Sequence, residues 1–85
     1  MRYNLVYTRR AVKDINSLED NVKKLIGKAL ARYSQDPFRH AQKLTDDRLG
    51  SYRFRIGDYR VIFDIEGDEI VVLRVGHRKD IYKRT

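Results

Sequence analysis

The apolar residues of this chain change their spacing once, and that change limits the folds open to it. Up to Tyr33 they recur every third or fourth position, and from Ser51 onward every second. The first spacing is that of a helix with one buried face, the second that of a strand with one buried face. Val22, Leu25, Ile26, Ala29, Leu30 and Tyr33 form a full helical stripe, with lysines on the other side. Ala11, Val12, Ile15 and Leu18 mark a shorter helix that Thr8 can cap. Ser17 with Asp20 is a weak start signal for the longer helix. Asp36-Pro37 ends it, because proline disfavours the helical conformation of the residue before it. Neither helix is long enough to be stable alone, so the two are expected to form a hairpin on a platform.

The platform is read from the strand-like segments. RYNLVY at 2–7 is a short strand, and three more are expected at about 51–56, 59–65 and 69–76. Gly57-Asp58 between alternating runs is a two-residue hairpin signal, and a second turn falls around Gly67-Asp68. Residues 38–50 are a connection that Leu44 and Leu49 can anchor. The expected fold is α+β with the order β-α-α-β-β-β: a helical hairpin packed on one face of a mainly antiparallel four-stranded sheet, in a single domain over 1–85.

At 85 residues such a domain buries only about 60–65% of the surface its unfolded chain exposes, so its core is thin. There is no cysteine, which excludes disulfides, thiol nucleophiles and Cys-ligated metal. The net charge of +7 and pI of about 9.9 point to a polyanionic partner. No apolar run approaches the roughly 18 residues of a membrane span, and MRYNLVYTRR lacks the apolar centre of a signal peptide. A cytoplasmic protein without membrane contact is expected. His40 and His77 are far apart and lack spaced carboxylates, so no metal site is expected, and no phosphate-cradling glycine loop is present.

The stretch SYRFRIGDYRVIF concentrates the charge. With Gly57-Asp58 as the turn, Ile56 faces Tyr59, Arg55 faces Arg60, Phe54 faces Val61 and Arg53 faces Ile62. One face then carries Tyr52, Phe54, Ile56, Tyr59, Val61 and Phe63, an unbroken apolar set that must meet the helices. The other carries Ser51, Arg53, Arg55, Arg60, Ile62 and Asp64. Like charges directly opposite cost a few tenths to about 1 kcal/mol. Either the arginines splay into solvent with partial compensation from Asp64, or their guanidinium groups converge on an anion, for which phosphate suits their forked donors. In EIVVLRVGHR both faces are apolar, as in a central strand. Strict alternation puts Val71, Leu73 and Val75 beside the arginines and Arg74 on the core face, so either Arg74 snorkels past the core's edge or the register shifts. Gly76 ends the strand, and His77, Arg78 and Tyr82 follow within a few positions.

The segments KLTDDRLGSYRFRIGDYRVIF, IVVLRVGHR and DIY, spread over the second half of a chain whose first half also fits, closely resemble the RelE/ParE toxin superfamily, and its RelE branch in particular. The resemblance implies a toxin of a type II toxin–antitoxin system with a cognate antitoxin as partner, and operator DNA reached only through that antitoxin. For the RelE branch it implies metal-independent, cofactor-free cleavage of mRNA in the ribosomal A site, by attack of a ribose 2′-hydroxyl on the adjacent phosphate. Carried over by position, the family's basic pair falls on Arg53 and Arg55, its next-strand arginine on Arg60, its post-strand basic residue on Arg78 and its C-terminal aromatic on Tyr82. The best-known enzyme of the branch has lysines where this chain has Arg53 and Arg55. Arginine stays protonated in proteins and cannot be a base, so Tyr82 or His77 is expected to take the proton. The exposed helical face of Lys23, Lys24, Lys28 and Arg32 is expected to be either a solvated surface or a contact for ribosomal RNA phosphates. Two alternatives share the resemblance: a ParE-like gyrase poison, and an inactive toxin-like corepressor acting with an antitoxin.

Overall fold

A computed structural model describes residues 2–45 and 48–82. The elements are β1 (Asn4–Tyr7), α1 (Arg9–Asn16), α2 (Asp20–Tyr33), α3 (Pro37–His40), β2 (Gln42–Lys43), β3 (Tyr52–Ile56), β4 (Tyr59–Glu66) and β5 (Glu69–His77). The sheet order is β1-β5-β4-β3-β2. β1 runs parallel to β5, and the other pairs are antiparallel. The α+β class, the helical hairpin and the three long strands match expectation. Among the described residues the sheet has five strands rather than four, because the segment read as a connection folds into the single turn α3 and the two-residue edge strand β2. Pro37 opens α3 at its first turn, where its missing N–H costs nothing.

Thr8 caps α1 as expected. Its Oγ1 accepts from Ala11 N at 3.1 Å and donates to Leu73 O, so one residue both starts the helix and ties it to β5. Ser17 ends α1 rather than starting α2: its hydroxyl donates to Asp14 O at 2.7 Å. The N-cap of α2 is Glu19, whose side chain makes no capping bond. The two helices lay Ala11, Ile26, Ala29 and Leu30 on a sheet face built from Phe54, Ile56, Val61, Phe63, Ile70, Val72 and Val75. Phe54 and Phe63 stack at 4.1 Å between centroids and carry no exposed surface. They contribute roughly 1.5–3 kcal/mol each by burial.

The β3–β4 register is the expected one, with Arg55 opposite Arg60. That of β4–β5 is not. A bulge between Ile62 and Phe63 sets Ile62 opposite Arg74 and Phe63 opposite Val72, so Leu73 is the extra residue. The slip moves Val75 from the expected open face into the core, where it is 2% exposed. It also removes Arg74 from the core face. Instead of snorkelling, Arg74 donates through Nε to Asp14 Oδ2 at 2.8 Å, and the same oxygen accepts Val75 N–H at 3.0 Å. Asp14 thus closes the edge of β5 that extends beyond β1.

Candidate functional site: an arginine cluster under the C-terminal turn

The face of the sheet away from the helices is less open than alternation suggests. Gly50 lies against it so closely that a Cβ there would come within 2.7 Å of Ile62 Cγ2 and 2.8 Å of Leu73 Cδ1. Ser51 N donates to Asp64 Oδ1 at 2.8 Å. The carboxylate expected to offset the arginines therefore holds the 48–51 segment down, and Ile62 beneath it is fully buried.

Beside this covered strip, the turn after β5 folds back over the sheet. Arg78 N donates to Asp58 O at 2.7 Å, at the tip of the β3–β4 hairpin, and its Nε lies 3.6 Å from Asp58 Oδ1. Both side chains of this ion pair are largely exposed, so it adds little to stability, and the backbone bond is the tether. Ile81 is 3% exposed and packs on Gly76, where a Cβ would come within 3.2 Å of Ile81 Cδ1. A glycine within a strand marks a close approach, and here it admits the tail.

The tail delivers Tyr82 to the arginines. Arg53 Nη1 donates to the Tyr82 hydroxyl at 2.8 Å, and the guanidinium carbon lies 5.8 Å from the ring centroid. Arg53 Nε donates to Gln42 Oε1 at 3.0 Å, from β2, so neighbours on both sides fix this guanidinium. Arg60, opposite Gly76 in register, is 6% exposed. Its Nη1 donates to Gly57 O at 2.9 Å and Tyr59 O at 2.8 Å. Those bonds engage only the Nη1 donors of a group that carries five N–H bonds. Burial first, and then the positive charge of Arg55, lower the proton affinity of Arg60. Tyr82 acts in the opposite sense, and Arg53 and Arg78 add to the lowering. Arg55 is exposed across from it, so the two opposed arginines differ in burial.

Of the residues picked out from the sequence, Arg53, Arg55, Arg60, Arg78 and Tyr82 come together. His77 does not join them. It stands opposite Tyr59 in β4, on the side of Val61 and Phe63, with its ring edge-to-face on Tyr59 at 5.4 Å. Lys24, Lys28 and Arg32 are exposed on α2, across the sheet from the arginines. Lys23 is half-buried and 3.9 Å from Asp20. Gln42 and Asp58 were missed as supports. Gln42 lies in a segment without strand periodicity, whereas Asp58, an acidic residue in a tight turn between Arg55 and Arg60, was a usable signal.

Residues 5–82 match the family model described as the ParE toxin of the type II toxin–antitoxin system parDE. Toxin RelG of Mycobacterium tuberculosis is 31% identical over 87 residues, covering 99% of this chain and 100% of that protein. The toxin–antitoxin complex RelBE2 of the same organism contains a chain that superposes with a TM-score of 0.81 at 27% identity, over 92% of this chain and 100% of that one. The archaeal RelE–RelB complex of Pyrococcus horikoshii gives 0.73 at 25% identity, over 94% and 99%.

Proposed function

The chain belongs to the RelE/ParE superfamily of type II toxin–antitoxin toxins, and from that premise we propose that it is a ribosome-dependent mRNA endoribonuclease whose site is the arginine cluster under the C-terminal turn. The observation that carries this reading is the buried Arg60 beside the Arg53–Tyr82 pair. Burying a guanidinium beside three others opposes folding, and an RNA phosphate in the process of transfer is the ligand that makes use of it. In the proposed reaction the 2′-oxygen bonds to phosphorus and the P–O5′ bond breaks, leaving a cyclic phosphate on one fragment and a 5′-hydroxyl on the other. Arg53, Arg55, Arg60 and Arg78 stabilise the added negative charge in the phosphorane. Guanidinium groups keep their protons, so the group in the cluster suited to proton exchange is the Tyr82 hydroxyl, not His77. Lys24, Lys28 and Arg32, with Lys23, are proposed to meet ribosomal RNA phosphates from the far side of the sheet.

The proposed partner is a cognate antitoxin, since the relatives just described include chains solved in complex with one. Exposed Val12, with Tyr7, Ile15, Ile26 and Leu30, lines a groove between α1 and α2 that gives an amphipathic antitoxin segment an apolar surface.

The family model's ParE description favours one other reading, gyrase poisoning. Two assays on the purified chain separate them: translation with recovery of cut mRNA, and DNA supercoiling by gyrase. The expected result is mRNA cut within ribosomes and unchanged supercoiling. Lost supercoiling with intact mRNA would replace the nuclease reading by the gyrase one, and no effect in either assay would favour a corepressor.

A further inference from the structure

His77 is held apart from the arginine face, yet the turn that builds that face is anchored on it. Its Nδ1 accepts Lys79 N–H at 3.1 Å. Its carbonyl accepts both Asp80 N–H and Ile81 N–H at 2.9 Å. Its ring rests edge-on against Tyr59 with an interplanar angle of 82°. One residue thus fixes the start of the turn through ring, side-chain nitrogen and carbonyl. The same turn seats Ile81 on Gly76 and brings the Tyr82 hydroxyl to Arg53.

This geometry also decides what the imidazole can do. A nitrogen that accepts an N–H carries no proton, so the neutral ring has its proton on Nε2. The Nδ1 lone pair is committed inside the turn, and Nε2 is a donor. No lone pair of His77 is left for a ribose hydroxyl, and the ring faces the wrong side of the sheet to reach one.

We infer that His77 is a positioning residue: its Nδ1, as the acceptor for Lys79 N–H, sets the turn that holds Arg78 and Tyr82 over the arginines, and it transfers no proton. For activity the inference rests on the mRNA-cleavage reading. Asparagine separates the two roles. Its side-chain oxygen accepts the N–H two residues on, as in an Asx turn, but it cannot act as a base at neutral pH. Phenylalanine keeps a ring against Tyr59 and supplies no acceptor.

The test compares His77→Asn, His77→Phe and His77→Ala in kcat and KM for cleavage of ribosome-bound mRNA, together with hydrogen exchange of the Lys79 amide. The expected result is a His77→Asn rate within about threefold of the unaltered protein. His77→Phe and His77→Ala should lose on the order of 10–100-fold in kcat, as misplaced groups do, with KM nearly unchanged and faster Lys79 exchange. A His77→Asn rate as low as that of His77→Ala, with the Lys79 amide still protected, would overturn the inference and return the imidazole to proton transfer. So would a full rate in His77→Phe. If the unaltered protein cuts no mRNA, the cleavage reading fails by itself and the amide decides the rest. Unchanged Lys79 exchange and Tyr82 ring resonances in His77→Phe would then reject the positioning role, and their joint change would uphold it.

Discussion

Two basic regions lie on opposite sides of this sheet, and they are built in contrary ways. On α2, Lys24, Lys28 and Arg32 stand a helical turn apart and exposed, so each keeps its hydration and none depends on the others. On the strands, Arg53, Arg55 and Arg60 are brought together by register, with Arg78 and Tyr82 added by the tail. There a charge is buried, its Nη1 donors are fixed on backbone carbonyls, and a neighbouring positive charge opposes it. The first arrangement can attract a polyanion from any direction. The second gathers fixed guanidinium donors in one place, at a cost to folding.

That contrast predicts effects of different kind and size. Tyr82→Phe keeps the ring over Arg53 and removes the hydroxyl. The rate of mRNA cleavage on programmed ribosomes is expected to fall by about 10²–10⁴-fold, the span of a lost general acid or base. A fall of less than tenfold would move proton transfer elsewhere. Arg60→Ala is expected to cost about 10²–10³-fold in the same assay, as for a lost preorganised donor, while urea unfolding shows stability unchanged or improved. Strong destabilisation with undiminished cleavage would make Arg60 a structural residue. Gly50→Ala tests the cover over the strip beside the cluster. Its methyl group meets Ile62 and Leu73, so a loss of about 1–3 kcal/mol is expected in urea unfolding, and no loss would show that the segment lifts easily. The smallest effect belongs to the helix. Lys24→Ala with Lys28→Ala should leave kcat untouched and reduce the salt dependence of ribosome binding by up to about 0.7–0.9 per lost phosphate contact. A fall in kcat would erase the distinction between the two regions.

The same contrast marks what was legible in the sequence. The hairpin register could be read residue by residue, because Gly57-Asp58 fixes the turn and a one-residue slip would expose Phe54, Val61 and Phe63 together. The apolar stripe of α2 and the Thr8 cap were equally plain. The bulge in β5 was not, because the contacts that accompany it come from sixty residues away in sequence, where Asp14 takes both Val75 N–H and Arg74. The misfit of Arg74 was the trace it left. α3 and β2 carry too few residues to show a period. The arginine cluster was legible as charge at set positions. The burial of Arg60 and the side on which His77 stands were not, because both follow from how the tail folds back over Gly76.

In the proposed reaction the arginine face acts on an RNA phosphate through the neighbouring 2′-hydroxyl. The most direct test places a single 2′-deoxynucleotide immediately 5′ of the cleaved bond in a ribosome-bound mRNA and follows cleavage by the unaltered protein. The all-RNA message is expected to be cut there to a cyclic phosphate end while the substituted message stays whole at that bond. Cleavage of the substituted message at an undiminished rate would contradict the proposed reaction.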